Sequence, residues 1–103
     1  MGTTHPPVAL DAPEHLSAAE ADDFDYRCGE LRAEAVDRVL LQVVEDRGWS
    51  LFDAGVTDRV SVEHDGPARA RILVDGQPAS PWWNDRVHVA EGRRHWSFEP
   101  EAA

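Results

Sequence analysis

The sequence predicts an α+β fold: one long amphipathic helix on a small antiparallel sheet of about four strands, preceded by a short helix and a flexible acidic tail. Three patterns carry that expectation. Apolar residues recur at helical spacing over 30–47, and they alternate with polar ones over 60–74 and 86–98. The first dozen residues hold few large apolar side chains beside Pro6, Pro7 and Pro13. At 103 residues the chain has the size of one domain. The expected boundaries are a flexible tail over 1–14 and one α+β domain over 15–103.

The tail is expected to be flexible because it lacks the apolar surface needed to offset the entropy of ordering it. Next, Ser17-Ala-Ala-Glu20 fits a capping box, with Leu16 placed for a hydrophobic staple, and predicts a short helix over about 18–26. Gly29 is expected to interrupt it. The main helix is predicted over 30–47 from Leu31, Ala35, Val36, Val39, Leu40, Val43 and Val44, with Gly48 just past its end. Its apolar arc spans about half the cylinder, leaving Leu41 beyond the edge. Either Leu16 and Phe24 of the N-terminal segment cover the rest of the arc, or a second copy of the chain does, as a homodimer.

Residues 48–57 read as a connection anchored by Trp49, Leu51 and Phe52, with one helical turn between Ser50 and Gly55. A hairpin follows around Asp65-Gly66-Pro67. The register that separates apolar from charged faces pairs Val62 with Ala70, Val60 with Ile72 and Glu63 with Arg69. A second hairpin is predicted around Glu91-Gly92, with Val87, Val89, Trp96 and Phe98 on one face and His88 opposite His95.

Charge narrows the functional classes. The chain has no Lys; ten Arg stand against 20 Asp and Glu, for a net charge of −10. This excludes a P-loop lysine and Schiff-base chemistry, and argues against direct nucleic-acid binding, which depends on neutralising phosphates. Such Arg-only usage is that of a GC-rich bacterial genome. No apolar run is long enough to span a bilayer and no signal-peptide pattern opens the chain, so the expectation is cytoplasmic, without a membrane partner. The lone Cys28 has no internal disulfide partner.

Candidate sites are few. Arg86, His88, Arg93 and His95 share one hairpin face and form a candidate anion-binding patch that gains strength as the imidazoles protonate. A metal there is not expected, because two guanidiniums repel a dication and no third ligand has the right parity. Cys28 beside Arg27 is a candidate reactive thiol, but a lone Cys on an apolar helix seam is more commonly a packing residue. No cofactor motif and no catalytic constellation appears. In Trp82-Trp83 adjacent side chains diverge, so one of the two is expected outside the core as an interface anchor.

With Leu41, this pair gives the leading expectation of a small acidic regulatory or interaction module, such as an accessory subunit, inhibitor or immunity-type protein. Its acidity favours a basic protein partner. The alternatives are a small enzyme or binding domain for an anionic small molecule on the Arg/His face, and a structural homodimer.

Overall fold

The computed structural model describes residues 8–102, and its element order is β1 (Val8–Pro13), α1 (Ala18–Asp46), α2 (Val56–Arg59), β2 (Val60–His64), β3 (Arg69–Val74), β4 (Gln77–Pro78), β5 (Trp83–Ala90) and β6 (Arg93–Pro100). The class is α+β, as expected, but the antiparallel sheet has six strands rather than about four. Its order is β1-β6-β5-β3-β2, with β4 paired to β3.

The first added strand corrects the tail. Val8–Pro13 pair with β6, Val8 opposite Phe98 and Leu10 opposite Trp96, so residues 8–13 are an edge strand; residues 1–7 lie outside the described residues. Val8, Leu10 and Ala12 turn inward while Ala9, Asp11 and Pro13 turn out. Pro13 ends the strand, where a missing N–H is least costly. Three small or medium apolar residues were too little for a strand signal; they form one because β6 offers a ladder and two large aromatic neighbours.

The helices need a second correction. The separate short helix and the break at Gly29 do not exist: α1 runs unbroken for 29 residues, about 43 Å at 1.5 Å per residue. Ser17 and Glu20 do form the capping box, Ser17 Oγ accepting from the Glu20 amide and Glu20 Oε1 from the Ser17 amide. A mid-helix glycine costs roughly 1 kcal/mol. The cap and the packing of Phe24, Cys28, Leu31 and Ala35 on the sheet outweigh it. At the far end Gly48, at φ 74°, takes the left-handed conformation that closes the helix, and the Trp49 amide donates back to the Val44 carbonyl.

In the connection, Trp49 packs on the core but Phe52 is 99% exposed, so it anchors nothing in this chain. The expected turn of helix is displaced to Val56–Arg59, directly before β2.

Both hairpins form with the expected faces. In β2–β3 the register is two residues further along than expected: Val62 faces Ile72, Val60 faces Val74 and Glu63 faces Arg71. A shift of two preserves parity, so Ala70, Ile72 and Val74 still point into the core. In β5–β6 the turn is the two residues Glu91-Gly92, both with positive φ (55° and 75°), which matches the strand twist. His88 accordingly faces His95 and Val87 faces Trp96.

The core lies between α1 and one sheet face. Its first part gathers Cys28, Ala35, Ala70, Trp83, Trp96 and Phe98; its second gathers Val43, Ile72 and Val74 with Trp49 and Leu40 around them. The sheet, and not a separate N-terminal helix, covers most of the α1 arc. Leu41, 43% exposed, stays outside it.

Candidate functional site

The Trp pair divides by strand parity. Trp83 opens β5 facing inward; it is 8% exposed and stacks on Phe98 with ring centroids 5.7 Å apart. This corrects its candidacy as an anchor, because it has almost no surface to offer. Trp82 goes to the outer face, half-buried, with the guanidiniums of Arg69 and Arg71 at 4.0 and 4.3 Å from its ring centre. Those arginines are themselves held, Arg69 by Asp65 and Glu101 and Arg71 by Glu63. Trp82 is thus the floor of an ion-pair network, a role that two arginines at i, i+2 on one strand face could have suggested.

The Arg/His face assembles as the register dictates. Arg86, His88, Arg93 and His95 lie on the outer side of β5–β6, but two of the four are already engaged. Arg86 Nε donates to Glu99 at 2.8 Å, and His95 Nδ1 sits 2.5 Å from Asp11 of β1. His88 and Arg93 make no ion pair among the described residues.

On the inner side of the same strand, α1 sends Arg32 across to Asp85. Arg32 Nε donates to Oδ1 at 2.9 Å and Nη2 to Oδ2, a two-point pair with both side chains less than a quarter exposed. Hydrogen bonding to Asp85 pushes the guanidinium further above its ordinary value, against the opposing pull of burial. Cys28 lies one turn earlier on the helix. Burial pushes its thiol up more than Arg32 draws it down, so it is a packing residue and a poor nucleophile.

The feature that sequence reasoning missed is an edge. β3 pairs with β5 only at Arg69–Asn84 and Ala70–Trp83, and the last tie is the Asp85 amide donating to the Ala68 carbonyl at 3.0 Å. Past that bond the β2–β3 hairpin has turned away. In an antiparallel ladder alternate residues point their N–H and C=O groups the same way, so Val87 and Val89, like Asp85, aim theirs away from β6. No backbone partner meets them among the described residues. Their side chains, on the helix side, are 61% and 45% exposed.

Beside this edge, Arg32, Ala33, Val36, Val62, Pro67 and Ala70 line a groove of 310 Å³ between α1 and the β2–β3 hairpin. The groove reaches β5 at Asp85, through Arg32 and the Pro67-Ala68 turn. No helix among the described residues is long and apolar enough to cross a membrane. No protein-family model, no curated protein and no solved structure matches this chain.

Proposed function

We propose that this chain is a small protein-binding module of the regulatory or accessory kind, and that the outer end of the β5–β6 hairpin is where it docks its partner. One observation carries the reading: two adjacent inward-parity valines stand exposed on a strand whose backbone edge is also unpaired. Edge strands are normally blunted by shortness, bulges, covering or charged side chains; Arg86 is one such charge here, and it is tied to Glu99. Here β4 covers the neighbouring edge of β3 and Asp85 is tied down, yet Val87 and Val89 are left open.

The alternative of a small anionic ligand on the Arg/His face has weaker support, because Glu99 and Asp11 already occupy Arg86 and His95. A basic partner is favoured by the outer side of α1, where Asp22, Asp23, Asp25, Glu30, Glu34 and Asp37 are exposed, but this surface attracts at long range and offers little apolar area to hold a partner.

A photo-crosslinking side chain at Val87 should trap one discrete protein from the source extract, and Val89→Asp should abolish the product. Adducts from position 41 but none from position 87 would place docking on the helix and overturn this reading.

A further inference from the structure

Resting on that docking reading, we infer that the partner binds as an extended strand added to β5, with acidic residues alternating with apolar ones. The edge itself sets the geometry. Arg86–Ala90 present a five-residue run, about 17 Å of strand, with the Val87 and Val89 backbone groups as donors and acceptors. A segment laid antiparallel along it gains main-chain hydrogen bonds whatever its sequence, and alternate side chains supply the selectivity.

Parity then assigns the two faces. Residues opposite Val87 and Val89 lie on the helix side and meet exposed apolar surface, so they must be apolar. Residues between them lie on the outer face beside His88, with Arg93 opposite Ala90 on β6; neither makes an ion pair among the described residues, so acidic side chains suit these positions.

Charge decides between this occupant and a second copy of the chain. Residues 86–95 carry Arg86, Arg93 and Arg94 against the single acid Glu91, with His88 and His95 adding charge only when protonated, a basic end on a molecule of net charge −10 with His counted neutral. His88, Arg93 and Arg94 make no ion pair among the described residues. Of the nearby acids, Asp85 is committed to Arg32, Glu99 to Arg86 and Asp11 to His95, while Glu91 of the turn and Glu14, whose amide donates to the Gly92 carbonyl, make no ion pair among the described residues. Self-pairing about a two-fold axis at His88 would set that imidazole against its own copy and place Arg86 two residues away on either side. It would also bring two strongly acidic molecules together. An acidic strand avoids the first obstacle, and a short segment meets the basic tip locally, within the roughly 8 Å over which surface charges act at physiological salt, rather than the whole acidic molecule.

The test uses the full chain and synthetic capped peptides of alternating Val and Glu, about nine residues long. Binding of the Val/Glu peptide is followed by Trp fluorescence and by amide hydrogen exchange. The expected result is slowed exchange at Val87 and Val89, and affinity at least tenfold above that of the Val/Lys peptide and falling with salt. N-methylation of the peptide's valine amides, which an antiparallel strand turns toward β5, should abolish binding, while N-methylation of its glutamate amides should not.

Equal binding of the Val/Lys peptide, or indifference to both methylations, would overturn strand addition by an acidic segment. So would a stable dimer in which Val87 and Val89 are already protected. If the crosslink from position 87 forms while the peptide fails these tests, the docking surface stands and only the strand mode falls.

Discussion

The two hairpins of this protein follow the same local grammar and meet opposite fates. In β2–β3 both sides of the sheet have neighbours, although the far edge of β2 ends the sheet unpaired among the described residues. The C-terminal half of α1 covers Ile72 and Val74, β4 pairs along the free edge of β3, and on the outer side Trp82 lies under Arg69 and Arg71. In β5–β6 the β6 edge is paired by β1 as far as Arg93, but on the β5 side only the base is held, by Trp83 on Phe98 and Arg32 on Asp85. Beyond Asp85 the hairpin runs past the reach of β3, although its valines have the parity of core residues. Alternation in a strand specifies which side a residue faces; whether anything waits there depends on the length and offset of the neighbouring elements.

The sharpest way to break the comparison is to remove one matched side chain from each hairpin. Ile72→Ala, at a position 1% exposed, should cost about 2–5 kcal/mol in denaturant unfolding. Val87→Ala should stay within about 0.5 kcal/mol. A core-sized loss at Val87 would mean that the hairpin tip is packed in solution.

A smaller effect is expected at the junction between base and tip. Arg32→Ala leaves the Asp85 carboxylate, 18% exposed, without its two donors, and should cost about 2 kcal/mol. Removing both residues together should cost less than the sum of the single changes, because the stranded charge goes with them. If the double-mutant cycle shows strict additivity, the pair is not what ties α1 to β5.

The smallest effect concerns acid, and it falls on the braced side. Hydrogen bonds from Arg59 hold Asp75 below its ordinary value, and those from Asn84 and then Arg69 do the same for Glu101. A carboxylate lowered in the folded state contributes stability that is complete above its unfolded value and lost as pH falls through the folded one. Denaturation midpoints should therefore be flat down to the ordinary carboxylate range and decline below it. Both groups are solvent-facing, so the decline should be shallow, and Glu101→Gln should make it shallower. An unchanged slope in that variant would show that Glu101 braces nothing.

Much of this architecture was legible in residues whose signals are local. The Ser17–Glu20 box starts α1, Gly48 stops it, and Glu91-Gly92 sets the β5–β6 register that puts His88 opposite His95. Parity set Trp82 and Trp83 on opposite faces in the same way, and the β5 register decided that Trp83 is the inner one. The misreadings arose where a weak local signal met a strong tertiary one. Gly29 looked like a break because its cost is local, whereas the packing of Cys28 and Leu31 that outweighs it is not. Val8–Pro13 looked like a tail because the pattern is short, and it becomes a strand because β6 supplies a ladder. The candidate docking edge was illegible for a related reason: nothing in Val87-His88-Val89 says where β3 ends its pairing with β5.

What the sequence determined by itself is the set of elements with internal signals, the inward and outward faces of the strands in the two hairpins, and the charge contrast between an acidic N-terminal region and a basic hairpin tip. Those follow from backbone sterics, side-chain period and ionisation, all properties of a few neighbouring residues. Only the tertiary structure decided that α1 is one helix, that β1 joins the sheet and that the β5 edge stays open past Asp85. Each of these depends on contacts between segments far apart in the chain, whose free energy no local pattern contains.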